Sequence, residues 1–384
     1  MLTKIYAHLW AVLFLTVLLA CSTDDEPVAP DSQPPIEEEI PEAPSDPLAI
    51  QLDTRLNDKV MGFAYVILRD GEVAFEGTGG LARNTTDGER AMSTEYPMHI
   101  ASVSKWVTTL TTLSILEEND ISSNTSVAPY FPVDWTLGPG IETLTFMDLL
   151  AQRGGFNQYG SNSFNANRYD SLKQIVESGA EGLRLKLYNN NHHALFRVIL
   201  PVLNDQLNNQ EGQYTPAITG LAYETVVKET LFDPLQLEAD LTASSVSNTI
   251  KAYANKADTG GGSGSNVDFT EVGAAYGWHI SVADLAEVWR AAWYTDIFIN
   301  EGTRTEMTSN TAGLFETRDG LYGRYFMKDG AWWYSNQPQR QLQTIIAHFP
   351  DDTDVIIFIN SALDSNGWLG SVVIEAYEDS RLPG

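Results

Sequence analysis

Gly62-Phe63-Ala64-Tyr65-Val66-Ile67-Leu68-Arg69 is an almost unbroken apolar run, the pattern of a buried strand, and Asp70-Gly71 after it is a hairpin signal. Glu72 to Gly79 alternates as the return strand. Ile100 to Glu117 reads as a mostly apolar helix, and Thr145 to Leu150 as a short one with Thr145 as its cap. Tyr214 to Leu231 predicts a longer helix stopped at Phe232-Asp233-Pro234-Leu235, and Ser281 to Ala286 opens another. Three strands follow, over 323–333, 341–349 and 354–360, and Val372 to Ser380 closes the pattern as a helix. Strands at both ends with helices between predict an α+β fold. One antiparallel β-sheet is built from both chain ends, with flanking helices, an inserted mostly helical lobe and a cleft between the lobes. Gly260 to Gly264 reads as a flexible loop, because no Gly-Lys-Ser/Thr follows to make it a phosphate loop.

Composition changes this picture mainly at the N-terminus. The chain has 384 residues, 43% of them hydrophobic, enough for a sizeable core. Lys4 precedes an apolar run of 16 residues, Ile5 to Ala20, too short for a membrane span and laid out as a secretory signal over 1–20. The run ends in Leu18-Leu19-Ala20-Cys21, which resembles the lipobox of bacterial lipoproteins, with Cys21 as the lipidated residue. Because Cys21 is the only cysteine, the mature chain has no thiol for disulfides or catalysis.

Residues 22–47 hold seven prolines, nine acidic residues and no basic one, so 21–47 reads as an extended acidic tether and 48–384 as the folded domain. Ser22-Thr23-Asp24-Asp25-Glu26 resembles the acidic export signal of surface-exposed bacterial lipoproteins. The expected location is the outer membrane of a Gram-negative bacterium, with the lipid as the only membrane contact. A net charge of −28 argues against nucleic-acid partners, which need a basic footprint.

The candidate chemistry starts at Ser102-Val103-Ser104-Lys105. A serine and a lysine three apart on a helix share one face, and the amine can take or relay the hydroxyl proton. Ser104 neighbours Lys105 and faces another way. Downstream lie Tyr188-Asn189-Asn190, in a loop before a helix starting near His193, and Lys328-Asp329-Gly330 in the first late strand, followed by Ala331-Trp332-Trp333. A Ser–His–acid triad has no Gly-x-Ser-x-Gly elbow to support it. No spacing of His, Asp or Glu stands out as a metal site, no cofactor is expected, and adjacent His192 and His193 read as structural.

In this order the three motifs resemble those of the serine β-lactamase and penicillin-recognising family, Ser-x-x-Lys, Tyr-x-Asn and Lys/His-x-Gly. The closer likeness is to its class C β-lactamase, DD-peptidase and esterase branch, over roughly residues 50–380. The resemblance implies Ser102 as nucleophile and an oxyanion hole made by the N–H groups of Ser102 and Ala331. Tyr188 and Lys105 share the proton, the base being left open between them, and the charges of Lys105 and Lys328 should lower the Tyr188 pKa. Asn190 is expected to hold the Lys105 amine and a substrate amide. Lys328 brings a second cation, and Gly330 allows close approach along the strand edge.

Two departures stand out. Asp329 replaces the family's usual Thr or Ser and would repel a substrate carboxylate if it faced the cleft, which favours neutral esters or differently oriented amides. Ala151-Gln152-Arg153-Gly154-Gly155 replaces a His-Thr-Ser-Gly-like stretch, and Gln158 beside it reads first as an exposed loop glutamine and second as a donor to a substrate carbonyl. Trp332 and Trp333 should divide between core and cleft. The expected function is a serine hydrolase acting through an acyl-enzyme on a small-molecule or peptide ester, amide or lactam, with no protein partner. A true β-lactamase, a DD-carboxypeptidase, or a non-catalytic binding protein on the same fold are the alternatives.

Overall fold

The computed structural model describes residues 46–157, 167–264, 266–314, 316–334, 338–363 and 367–382. The signal at 1–20, Cys21, nearly all of the tether and Gln158 lie outside them. Within them, the strands in chain order are β1 (Gly62–Arg69), β2 (Glu72–Arg83), β3 (Arg90–Ala91), β4 (Met98–His99), β5 (His279–Ile280), β6 (Glu316–Gly320), β7 (Gly323–Tyr334), β8 (Arg340–His348) and β9 (Thr353–Ile359). Seven form one sheet in the order β3-β2-β1-β9-β8-β7-β6, every neighbour antiparallel, while β4 and β5 make a separate ladder. The first and last strands of the chain thus meet, with Val66 opposite Ile356. Asp70 and Gly71 both take positive φ, 50° and 79°, the hairpin geometry that matches strand twist.

The uninterrupted apolar run of β1 is explained by burial on both faces. Phe63, Tyr65 and Ile67 join one core with Ile345, Ile357 and Tyr377, while Ala64, Val66 and Leu68 join the other with Trp106, Ile346 and Phe358. The helices are α1 (Pro47–Leu56), α2 (Ser104–Glu118), α3 (Phe146–Leu150), α4 (Tyr169–Ser178), α5 (Asn190–Ala194), α6 (Phe196–Leu203), α7 (Pro216–Val227), α8 (Val282–Tyr294), α9 (Glu301–Asn310) and α10 (Leu369–Ser380). The first core is closed by α1 and α10, and the second by α2, α8 and the inserted helices. No helix of the described residues is long and apolar enough to cross a membrane.

Several boundaries differ from the sequence reading. Asp46 and Pro47, assigned to the tether, start α1: the Asp46 carboxylate accepts the Leu48 and Ala49 N–H groups and pairs with Arg69. Strand β6 was not foreseen, because Glu-Thr-Arg-Asp-Gly is polar throughout and lies at the sheet edge. The helix expected over 214–231 starts at Pro216 behind a Thr215 cap and passes into a π-turn over Lys228–Phe232. Pro234, with no N–H to donate, follows this wider turn. The glycine loop is fastened rather than loose, its Gly262 N–H donating to Asp87 at 2.6 Å and Ser263 bridging Ala252.

Candidate active site

The ladder of β4 and β5 delivers the chain to Ser102. The Ile100 N–H bonds the Trp278 carbonyl at 2.9 Å, and residues 101–103 form a 3₁₀ turn running into α2. The helix therefore begins at Ser104, two residues later than the serine expected on its first turn. Ala101 sits at φ 47°, a left-handed conformation that costs a non-glycine residue about 1–2 kcal/mol and aims the next residue out of the turn. Behind it, α2 is buried on nearly every side. Four buried threonines are tolerated there because Thr108, Thr109, Thr111 and Thr112 each return their hydroxyl to the carbonyl four residues back.

Three of the expected groups converge on one oxygen or ring. Ser102 Oγ lies 2.7 Å from Tyr188 Oη and accepts from Lys105 Nζ at 3.1 Å. Lys105 Nζ stands 5.2 Å and Lys328 Nζ 5.9 Å from the centre of the Tyr188 ring. The second bond of Lys105 goes to the Ala275 carbonyl at 2.7 Å, a task the sequence reading gave to Asn190. Asn190 itself is the first residue of α5, with its side chain buried. Ser104 faces away and accepts the Trp278 N–H at 3.2 Å. Among the described residues, none of the five histidines hydrogen-bonds Ser102. His192 Nε2 accepts the Gly154 N–H, so its proton sits on Nδ1, toward the Asn189 carbonyl.

The electrostatics reverse one expectation. Burial, not the neighbouring ammonium groups, dominates at Tyr188 and pushes it up to about 12; the Ser102 bond opposes this and the Asp329 charge adds to it. Burial holds Lys105 well below the ordinary lysine value, helped by the Lys328 charge and opposed by that of Asp329. Burial also lowers Lys328, against the pull of Asp329. Burial thus favours the uncharged form of all three groups, the phenol of Tyr188 and the amines of Lys105 and Lys328.

Strand β7 passes close over the turn that carries Ser102. A Cβ on Gly330 would lie 2.4 Å from the Ile100 carbonyl oxygen and 3.1 Å from the Ser102 and Val103 nitrogens, so only glycine fits. Because β6 pairs only with Gly323–Met327, the outer edge of β7 beyond Met327 is left unpaired by that strand. A cavity of about 270 Å³ opens there, lined by Ser102, Tyr188, Asp329, Ala331 and Trp333. Asp329 therefore faces the cleft, with its Oδ1 3.3 Å from Lys328 Nζ, while that amine also bonds the Asp329 carbonyl at 2.7 Å. Trp333 lines the cavity, and Trp332 packs against His99, Phe269 and Tyr276. A larger acidic hollow of about 550 Å³, beside Glu117, Glu229 and Asp296, shares no lining residue with it.

One residue escaped the sequence reading. Gln152, in the stretch that departs from the family pattern, brackets Tyr188. Its carbonyl accepts the Leu187 N–H at 3.0 Å, and its side-chain oxygen accepts the Asn189 N–H at 2.8 Å. No spacing rule marks such a residue, because its work is done on backbone groups distant in sequence.

Residues 49–204 match the family model described as Beta-lactamase. No curated protein matches the chain in sequence. Among solved structures, it is similar to a penicillin-binding protein homologue from Pyrococcus abyssi, at 16% identity and a TM-score of 0.64 over 86% of this chain and 75% of that one. It is also similar to a D-amino acid amidase from Ochrobactrum anthropi SV3, at 16% identity and 0.64 over 87% and 99%. A class C beta lactamase from Rhodobacter sphaeroides gives 15% identity and 0.57 over 88% and 98%. At these identities the likeness to the solved structures is one of fold.

Proposed function

We propose, for a chain of the serine β-lactamase and penicillin-binding-protein fold whose residues 49–204 match the Beta-lactamase family model, that it is a serine hydrolase acting through an acyl-enzyme on esters or amides. The observation that carries this reading is the contact of one hydroxyl with two proton carriers: Ser102 Oγ reaches both Lys105 Nζ and Tyr188 Oη. As the hydroxyl attacks a carbonyl carbon, its proton passes to the Lys105 amine, which burial favours in its uncharged form, directly or through the Tyr188 phenol. The carbonyl oxygen gains negative charge and is met by the N–H groups of Ser102 and Ala331. The tetrahedral adduct collapses, the leaving group takes the proton back, and water then cleaves the Ser102 ester.

A fluorophosphonate probe tests the reading. Wild type and Ser104→Ala should be labelled and Ser102→Ala should not. Labelling that survives in Ser102→Ala refutes the nucleophile, and a folded wild type that stays unlabelled points to a binding protein. The N-terminal sequence supports an exported form anchored through a lipid on Cys21. Incorporation of labelled palmitate that persists in Cys21→Ser would overturn that part.

A further inference from the structure

The five residues lining the cavity carry a single formal charge, and it is negative: the Asp329 carboxylate stands among Ser102, Tyr188, Ala331 and Trp333. Of the nearby lysines, Lys186 is exposed and its amine is held on Thr311 and the Leu314 carbonyl, outside the cavity lining, while the two that contact site residues are withdrawn from the surface. Lys105 is fully buried on Ser102 and Ala275, and Lys328 is 2% exposed, with its amine turned onto Asp329. Asp329 keeps a quarter of its side chain accessible, so a bound molecule meets the carboxylate in front of the ammonium that balances it. An ion pair held this way is a dipole with its negative end in the cavity. Trp333, four residues along β7 and 53% exposed, adds an indole face to the same lining, and such a face also attracts cations. The net charge of −28 draws cations toward the molecule as a whole.

We propose, resting on the acyl-enzyme reading, that the Asp329–Lys328 pair and Trp333 select esters or amides carrying an ammonium or guanidinium group and reject those carrying a carboxylate at the same place. The preference is set by which end of the ion pair faces the substrate. It involves no change in the acyl-transfer steps.

Three matched p-nitrophenyl esters test this, with acyl chains ending in trimethylammonium, tert-butyl or carboxylate. In wild type kcat/KM should fall in that order, by about tenfold or more from first to last. In Asp329→Asn and Asp329→Ser the ratio should shrink toward unity, chiefly by a gain on the anionic ester, and Trp333→Leu should weaken the cationic one alone. The same three acyl chains, as unreactive amides, are titrated calorimetrically into Ser102→Ala, with and without Asp329→Asn. A wild-type preference for the carboxylate, or an order that Asp329→Asn leaves unchanged, overturns the proposal in either assay. If wild type turns over no ester while the calorimetric order runs cation first and collapses in Asp329→Asn, charge selection stands and the acyl-enzyme reading falls instead.

Discussion

Gly330→Ala probes how tightly the strand edge is fitted to the nucleophile. Gly330 lies in extended β7 and needs no left-handed conformation, so the penalty of a methyl group is one of space. The new Cβ would stand 2.4 Å from the Ile100 carbonyl oxygen and 3.1 Å from two backbone nitrogens, none of which can swing aside as a side-chain end can. Close carbon–oxygen contacts settle at about 3.3–3.6 Å, so the strand must retreat by about 1 Å. The Ala331 N–H moves with it, out of the 2.7–3.1 Å at which a donor meets a developing oxyanion. Loss of one such donor costs about 10²–10³ in rate, and the overpacking costs about 1–3 kcal/mol in stability. The measurement is the pre-steady-state burst of p-nitrophenol from a neutral ester, read beside a thermal melt at a temperature where both proteins are folded. An acylation rate within about threefold of wild type in folded Gly330→Ala would refute the coupling of β7 to the oxyanion site.

Lys105→Met should abolish probe labelling yet raise stability at pH 7 by about 0.5–2 kcal/mol. The sign follows from burial, which puts the folded amine below its unfolded value, so the unfolded chain gains by protonation throughout the range below the ordinary lysine pKa. A variant no more stable than wild type in urea unfolding would contradict this. The four buried histidines around the site, His99, His192, His193 and His279, all lie below 6.5 through burial, His192 and His279 at about 4. As pH falls from 6.5 toward 4, the unfolded chain takes up protons that the folded one refuses, so their share of stability is lost across that window. His279→Leu should therefore lose less stability than wild type between pH 7 and pH 5, and parallel curves would rule the histidine out.

Much of the frame could be read from the residues because burial writes itself into pattern. The runs that became β1 and β9 are mostly apolar on both faces, β8 carries Ile345-Ile346-Ala347 at its centre, and the Asp70-Gly71 turn demands two positive φ angles. Missed were the short amphipathic helices α1 and α4, whose few apolar residues are spread among polar ones, and two elements that are polar almost throughout. Helix α9 buries only Met307 and β6 has no apolar alternation, so each is defined by neighbours rather than by its own sequence. The motif residues Ser102, Lys105, Tyr188 and Lys328 were found by type and order, and the fold brings them together. Their protonation was not legible, because the burial that raises Tyr188 and lowers Lys105 is a property of the assembled lobe. Gln152 and the Ala275 carbonyl act through or on backbone groups, for which sequence offers no signature.

The pairing of β1 with β9 also sets when the molecule can be completed. Contacts that join the two ends of a long chain are entropically slow to form, and topologies built on them fold late. Until β9 arrives, β1 presents an unpaired apolar edge, the kind of surface that aggregates. Strand β7, which lies against the Ser102 turn, is joined to β1 only through β8 and β9. The two sides of the candidate site are therefore brought into register by the last strand to be made, so a partly synthesised chain holds the serine and the lysine without the strand edge that completes them.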